Sequence, residues 1–254
     1  MLRGWVAQGL DLHLTVFEPN PTPEIAAMIS QQGWTLNPAA DSAVVADCVV
    51  LSVKPQSLAL AIESTVRAVT GPESLVVSIM AGITVEKLRE ACGAGRVVRA
   101  MPNTPGQIGR GITAWYGGAE ITAADEQLVR ALLAPLGALE KIPAERQMDA
   151  VTAVSGSGPA YLFLLTEALA AAGEAEGLER GLAERLARAT VTGSAALMDQ
   201  SPATPLELRK EVTSPGGTTA AAIDVLTAGG GLVALLRRAV EAAVARSRQL
   251  GRQS

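Results

Sequence analysis

Two short loops in the C-terminal half carry residues that could bind an anion. They are residues 155–161, with the sequence SGSGPAY, and residues 213–219, with the sequence TSPGGTT. Each loop leads into an apolar, alanine-rich stretch that the pattern predicts to be helical. Small hydroxyls and bare backbone N–H groups at a helix N-terminus bind carboxylates and other anions well. Helix capping alone would explain one such loop. Two of them, together with a nucleotide-binding pattern upstream, favour a ligand site.

The first half of the chain has the alternation of strands and helices that places ligands at one edge of a sheet. Apolar segments predict strands at 12–17, 48–53, 74–79, 96–100 and 112–116. Such buried strands, with amphipathic helices between most of them, are typical of a parallel sheet covered by helices. Ligands of these sheets lie beyond the carboxyl ends of the strands. The residues at or just after these ends include Glu18, Asn20, Val53, Lys54, Pro55, Ala81, Gly82, Asn103 and Thr104.

The second half of the chain predicts helices only. The expected helices are 158–176, 179–199, 203–212, 216–228 and 231–250. We therefore predict two domains, a dinucleotide-binding domain at 1–145 and a helical domain at 146–254. The fold class is α/β, with a Rossmann-like domain that lacks its first strand, followed by an all-α domain. Because alanine-rich helical domains often complete their core against another subunit, we expect a homodimer or a larger homo-oligomer.

The start of the dinucleotide-binding pattern is incomplete. Such a domain opens with a strand and G-x-G-x-x-G, followed about 20 residues later by an acidic residue. Glu18 fits as that acidic residue, but the glycines do not precede it, and counting back would place them just before Met1. Residues 2–9 then correspond to the end of the first helix. We expect either a start codon assigned too late or a genuinely shortened form, and favour the late start.

Composition and charge argue against several classes of function. The 254 residues carry a net charge of −4 and no basic run, so neither nucleic acid nor a membrane surface is expected as a partner. The best candidate for a membrane span, residues 160–172, is too short and contains Glu167. Cys48 and Cys92 show no disulfide or zinc pattern and suit the reducing cytoplasm. With His13 as the single histidine, we expect no metal site and no serine–histidine triad.

Five segments in this order resemble those of pyrroline-5-carboxylate reductases. The resemblance runs from about residue 3 to residue 251. The departures are the missing glycine turn and Ala222, where glycine is common in that family. The segments are LSVKPQ at 51–56, SIMAGI at 78–83, RAMPNTP at 99–105, DAVTAVSGSGPAY at 149–161 and VTSPGGTT at 212–219.

The resemblance implies an oxidoreductase of proline biosynthesis. The reaction transfers a hydride from NADH or NADPH to the C=N carbon of 1-pyrroline-5-carboxylate, giving L-proline. Ser214 and the amides of Gly216 and Gly217 would hold the substrate carboxylate at a helix N-terminus. Thr219 would hydrogen-bond the ring nitrogen and relay its proton, with helix capping as the alternative role. The further substrate contacts that the resemblance implies are Ser157 and Thr218.

The resemblance also implies the cofactor contacts. Lys54 is placed to meet a ribose or a phosphate, although a solvated surface charge is the alternative. Asn103 and Thr104 lie between two prolines and would face the nicotinamide, with a plain turn as the alternative role for either residue. The full set of expected cofactor residues is Glu18, Asn20, Val53, Lys54, Pro55, Ala81, Gly82, Asn103, Thr104 and Ser155.

Glu18 also predicts a preference between the two cofactors. A carboxylate at this position accepts hydrogen bonds from ribose hydroxyls and repels a 2′-phosphate. Residues 20–23 bring no arginine to offset it. We therefore predict better use of NADH than of NADPH, although the family accepts both.

Three other functions remain open at this point. A truncated, non-catalytic homologue would bind ligand or form oligomers only. A reductase of another cyclic imine would need the same site, so the sequence does not distinguish it from a pyrroline-5-carboxylate reductase. A β-hydroxy acid dehydrogenase relies on a lysine in its helical domain, and Lys210 is the only lysine after residue 148, which argues against that activity.

Overall fold

The computed structural model of the protein describes residues 1–39 and 44–253, which form two compact units. The first unit comprises Met1–Gly156 and the C-terminal residues from Val244 onward, and the second is Ser157–Ala243. The sequence predicts a boundary between two functional domains after residue 145. Because the division into compact units assigns no function to either unit, that boundary stays a prediction. The strands are β1 (Thr15–Val16), β2 (Thr35–Leu36), β3 (Cys48–Leu51), β4 (Leu75–Ser78), β5 (Arg96–Met101), β6 (Gly111–Gly117) and β7 (Gly137–Lys141). The helices are α1 (Leu2–Ala7), α2 (Pro23–Gln31), α3 (Leu58–Ala61), α4 (Arg67–Val69), α5 (Val85–Cys92), α6 (Ala123–Leu133), α7 (Met148–Val151), α8 (Gly158–Ala175), α9 (Arg180–Gln200), α10 (Pro205–Glu211), α11 (Thr218–Thr227) and α12 (Gly231–Gln253).

The described strands form two sheets within the first unit. β1 and β2 pair in parallel, and the other five strands follow the order β3-β4-β5-β6-β7. The predicted fold class, an α/β domain followed by a helical region, is confirmed. The predicted parallel pairing is found for β3-β4, β4-β5 and β6-β7, but β6 runs antiparallel to β5. The connection over residues 102–110 is too short for the crossover that a parallel pair requires.

The central strands β4 and β5 of the five-stranded sheet are buried on both faces. Adjacent residues of a strand point to opposite faces, so Val76 and Val77 enter different apolar clusters. Val76 lies opposite Val97 in the register of β4 and β5, and Val77 lies opposite Val98. All four valines are fully buried. This double burial explains why the strands read as apolar runs in the sequence.

The second unit is helical and much less enclosed. Helices α8 and α9 pack against each other, and the buried residues Ala183 and Ala187 lie one turn apart on α9. A Cβ added to Gly173 on α8 would lie 3.5 Å from the Cβ of Ala183. Small residues therefore permit the close approach of these two helices.

One segment of the described chain could cross a membrane, judged by length and composition alone. It is Thr218–Arg252, and its most apolar part is not buried within the chain. The expectation that residues 160–172 are the best candidate is therefore wrong. Only the short turn Ala228–Gly230 separates α11 from α12, so their apolar residues add up to one long stretch. Exposed apolar helices are also typical of surfaces that bind another protein.

Candidate active site

Three parallel strands bring most of the predicted cofactor residues to one edge of the sheet. The register pairs Leu51 of β3 with Ser78 of β4, and Ser78 with Arg99 of β5. The carboxyl ends of β3 and β4 are thus level, and β5 continues to Met101. Ligands of such sheets bind beyond these ends, and this is the edge at which the sequence predicts the cofactor. The residues that follow the three ends include Val53, Lys54, Pro55, Ala81, Gly82, Asn103 and Thr104.

Asn103 is held in place from both ends of its side-chain amide. Its Oδ1 accepts a hydrogen bond of 3.0 Å from the Ile112 N–H, and its Nδ2 donates to the Ser155 Oγ at 3.3 Å. A Cβ on Gly111 would lie only 2.7 Å from Asn103 Oδ1, so this approach depends on glycine. The structure therefore joins two predicted cofactor residues, Asn103 and Ser155, in one hydrogen-bonded cluster.

Lys54 lies at the exposed start of the loop after β3. It has an extended backbone with ψ of 145°, and Pro55 opens the 3-10 turn Pro55–Ser57 that follows. The side chain is exposed, so its ammonium group is available to a phosphate or ribose. Thr104 is likewise exposed and opens the 3-10 helix Thr104–Ile108.

Glu18 follows β1, and its backbone is clamped by Asn37. Asn37 Oδ1 accepts from the Glu18 N–H at 2.9 Å, while its Nδ2 donates to the Glu18 carbonyl oxygen at 2.8 Å. The Asn20 N–H donates to the Glu18 carboxylate at 3.0 Å. The two bonds to Asn37 fix the backbone of Glu18, and the Asn20 N–H orients its exposed carboxylate.

Sequence reasoning missed Asn37. Its φ of +47° lies in the left-handed region, which asparagine adopts more readily than most other residues. An asparagine directly after a short strand was the available signal. Pairing it with Glu18 required knowledge that β1 and β2 are neighbours.

The second unit contains the remaining predicted residues. Ser157 precedes α8, and its carbonyl oxygen accepts from the Ala160 N–H at 3.0 Å. Further along, the Gly217 N–H donates to the Ser214 carbonyl oxygen at 3.0 Å, which closes a tight turn. Gly216 has a φ of +70° in this turn, a conformation that strains residues with a Cβ.

The turn ends at the N-terminus of α11. Gly217 is the N-cap residue, and no side chain in the described part of the protein caps this end. The amides of the first helical turn thus remain available to an anion. Thr218 is exposed and Thr219 half-buried in that turn. The structure therefore brings Ser214, Gly216 and both threonines into one loop and helix start.

Burial raises the pKa values of both cysteine thiols. Burial, followed by the charges of Asp125 and Asp47, raises the pKa of Cys48 to about 12. Burial raises the pKa of Cys92 to about 11. Both thiols are therefore protonated at neutral pH. Among the described residues, no group of three or more His, Cys, Asp and Glu side chains could hold a metal ion.

Comparison with known proteins identifies relatives over both halves of the chain. A family model described as pyrroline-5-carboxylate reductase dimerisation matches residues 145–250. The pyrroline-5-carboxylate reductase of Pseudomonas aeruginosa is 45% identical over 215 residues, which cover 84% of this chain and 78% of that protein.

Two solved structures are similar to the whole fold. The pyrroline-5-carboxylate reductase of Coxiella burnetii superposes with a TM-score of 0.86 at 33% identity, covering 98% of this chain and 93% of the other. The Plasmodium falciparum pyrroline carboxylate reductase, solved with NADP bound, gives a TM-score of 0.80 at 27% identity and the same coverage. These matches confirm the resemblance found in the sequence. The chain belongs to the pyrroline-5-carboxylate reductase family.

Proposed function

We propose that this protein reduces 1-pyrroline-5-carboxylate to L-proline with NADH or NADPH, as the last step of proline biosynthesis. The observation that carries this function is the 45% identity to the P. aeruginosa reductase over 84% of the chain. The residue types in the two helix-start loops fit the same chemistry. Nothing in the comparisons favours a non-catalytic homologue.

The substrate carboxylate binds at the N-terminus of α11 in this proposal. The proposed contacts of the carboxylate are the Ser214 hydroxyl and the amides of Gly216 and Gly217. Because the Gly217 N–H also donates to the Ser214 carbonyl oxygen at 3.0 Å, it would bind the carboxylate as a shared donor. Support comes from the φ of +70° at Gly216 and from the uncapped first turn of α11. A carboxylate gains hydrogen bonds and the favourable helix dipole there. Thr218 and, from the start of α8, Ser157 complete the substrate contacts.

The Thr219 hydroxyl forms a hydrogen bond with the ring nitrogen of the substrate and relays the proton of that nitrogen. The imine is basic enough to be partly protonated before reaction, so the protein does not need a strong general acid. The reduced nicotinamide supplies the hydride, which the C=N carbon accepts while the nitrogen becomes a secondary amine. Thr219 orients the C=N bond for that transfer, and orientation of this kind contributes much of the rate.

The cofactor lies along the edge formed by the ends of β3, β4 and β5. Lys54 meets a phosphate or ribose, while Asn103, Thr104 and Ser155 face the nicotinamide. Support comes from the Asn103–Ser155 hydrogen bond of 3.3 Å, which places two polar side chains together near that edge. Val53, Pro55, Ala81 and Gly82 provide the backbone against which the cofactor rests.

Glu18 makes NADH the better cofactor. Asn37 fixes the backbone of Glu18, the Asn20 N–H donates to its exposed carboxylate, and this carboxylate accepts hydrogen bonds from the ribose hydroxyls. The 2′-phosphate of NADPH would be repelled by the same charge. Asn20 contributes its polar side chain next to that ribose.

The active enzyme is a homodimer or a larger homo-oligomer in the cytoplasm. The match of residues 145–250 to a dimerisation family supports assembly through the helical unit. The free state of Cys48 and Cys92 suits a reducing compartment.

The test is oxidation of NADH and NADPH by the purified protein with 1-pyrroline-5-carboxylate. We expect turnover with both cofactors and a kcat/KM higher for NADH. Thr219→Val keeps the shape of the side chain but removes the hydroxyl, and we expect kcat to fall about 10- to 100-fold. Thr190→Val, an exposed threonine on α9, is the matched control and should leave kcat unchanged.

Two results would contradict the proposal. A folded protein without turnover would exclude the reductase activity, and a higher kcat/KM for NADPH would exclude the role given to Glu18. Equal activity of Thr219→Val and the wild type would leave the reaction assigned but remove Thr219 from it.

A further inference from the structure

Two glycines that are far apart in the sequence lie against each other in the first unit. Gly82 follows β4, and Gly251 lies in the last turn of α12. A Cβ added to Gly82 would lie 2.9 Å from the Gly251 nitrogen and 3.1 Å from the Ser247 carbonyl oxygen. A Cβ added to Gly251 would overlap with the Gly82 carbonyl oxygen. Only a pair of glycines permits this approach of loop and helix.

Polar contacts hold the helix end in this position. Lys87, near the start of α5, donates from Nζ to the Gly251 carbonyl oxygen at 2.5 Å. That carbonyl belongs to the last helical turn, where a cation is favourable. One turn earlier, Ser247 donates to Asp149 Oδ1 at 2.7 Å, and Arg248 Nε lies 3.5 Å from Asp149 Oδ2.

The contact buries the loop after β4 on one side. Gly82 is buried and has a φ of +82°, and Ser247 is only 3% exposed. The helix end therefore covers Gly82 where a side chain would otherwise project. A loop confined in this way has few conformations to lose when a ligand binds its other side.

We propose that the last turns of α12 position the loop Met80–Ala81–Gly82 for the cofactor, with Gly251 and Ser247 as positioning residues. The proposal rests on the cofactor role of Ala81 and Gly82 given above. Neither positioning residue contacts the reacting atoms. They set the affinity for the nicotinamide cofactor by fixing the backbone that it meets.

The test is Gly251→Ala in the full chain. The added methyl group displaces the helix end from Gly82, so we expect the KM for NADH to rise about fivefold or more while kcat at saturating NADH changes less than about twofold. Two readouts do not require turnover. The Kd for NADH should rise in parallel, and amide hydrogen exchange of residues 80–83 should become faster.

Gly193→Ala is the matched control. It makes the same chemical change within a helix, but nothing lies within 4 Å of the added Cβ. We expect the KM for NADH and the exchange at residues 80–83 to match the wild type. Ser247→Ala is a milder second variant, because it removes the hydrogen bond to Asp149 without adding atoms. We expect it to raise the KM for NADH by about twofold.

The outcomes separate this proposal from the proposed function. An unchanged Kd for NADH and unchanged exchange at residues 80–83 in Gly251→Ala would overturn the positioning role, even if the enzyme is active. Loss of thermal stability and of kcat with an unchanged KM for NADH would assign the contact to stability alone. A wild-type protein that binds NADH but does not turn over would contradict the reductase function, while the exchange and Kd comparison would still decide the role of Gly251.

Discussion

The two units of this protein bury their apolar residues in opposite ways. The first unit encloses large side chains completely, among them Trp115, Ile83 and Leu133. In the second unit the only buried hydrophobic residues of the described chain are Ala183 and Ala187. The exposed large apolar residues of its helices α8 and α9 are Leu162, Phe163, Leu164, Leu165, Leu169, Leu182, Leu186, Leu197 and Met198.

The difference indicates where each unit obtains its stability. Burying a leucine or phenylalanine side chain stabilises a protein by about 1.5–3 kcal/mol. The first unit gains this within one chain. The second leaves Phe163 63% and Leu164 64% exposed, so the same gain requires another surface. The match of residues 145–250 to a dimerisation family supports homo-oligomerisation, and we expect a second copy of the chain to provide that surface.

The largest expected effect comes from shortening a core leucine of the first unit. Leu133 on α6 is fully buried, so Leu133→Ala should lower the free energy of unfolding by about 2–5 kcal/mol. This loss should be the same at all protein concentrations, because the core belongs to one chain. Leu164→Ala should give a smaller loss that depends on concentration. Urea unfolding at two protein concentrations measures the loss of stability in both variants. A loss in Leu133→Ala that depends on concentration would contradict the contrast between the two units.

A charge on the apolar surface of α8 should weaken assembly. Leu164→Asp places a carboxylate where the proposed partner packs, so we expect the dissociation constant of the oligomer to rise at least about tenfold. Leu60→Asp is the matched control, because Leu60 is 69% exposed but lies in the first unit. It should leave the oligomer unchanged. Light scattering across a dilution series compares the two variants, and equal weakening by both would show that α8 is not part of the interface.

The smallest expected effect concerns the capping boxes, of which each unit has one: Thr122 with Asp125 at the start of α6, and Thr204 with Glu207 at the start of α10. Burial opposes the ionisation of Asp125, but hydrogen bonds from Thr122 and Arg96 outweigh it and lower its pKa. Hydrogen bonds from the backbone and hydroxyl of Thr204 lower the pKa of Glu207. Because both folded-state pKa values lie below the unfolded ones, each contribution to stability is complete above the unfolded pKa, near pH 4. Each is lost as the pH falls through the folded-state pKa.

The two capping boxes should differ in strength. Asp125 also pairs with Arg96 at 2.6 Å and is 5% exposed, so Asp125→Asn should lower the free energy of unfolding by about 1–2 kcal/mol at pH 7. Glu207 is exposed, and Glu207→Gln should have a smaller effect. Urea unfolding at pH 7 and pH 3 checks the direction of the pH dependence for both variants. The stability of each variant should approach that of the wild type at the lower pH. A larger loss in Glu207→Gln would contradict the contrast between the units.

Most elements could be predicted from local patterns. Helix α2 begins after Thr22 and helix α5 after Thr84, and both threonines accept a capping hydrogen bond, which is a local signal of a helix start. The strands β3, β4 and β5 lie within or next to the predicted segments because their apolar runs are continuous. The direction of β6 and the existence of β7 were not predicted, since they depend on pairing between segments rather than on either segment alone.

The features of the candidate site likewise divide into those that local sequence predicts and those that only tertiary contacts decide. The loop at 213–219 was predictable because a turn and a helix start are local events, decided by glycine, proline and hydroxyl side chains within a few residues. The contacts of Asn37 and Gly251 were not predictable, because each residue contacts a residue in another part of the fold. Their partners, Glu18 and Gly82, are set by strand order and by the position of the last helix turns.

The order of residues along the chain was thus sufficient for the family, the reaction class and the loops that could bind an anion, because these depend on short segments whose chemistry is local. Three features required the folded chain: the clamp on Glu18, the Asn103–Ser155 bond and the contact of Gly82 with Gly251. Each joins segments that are distant in sequence. Such contacts form only when packing of the whole unit makes up for the chain entropy lost in bringing the segments together.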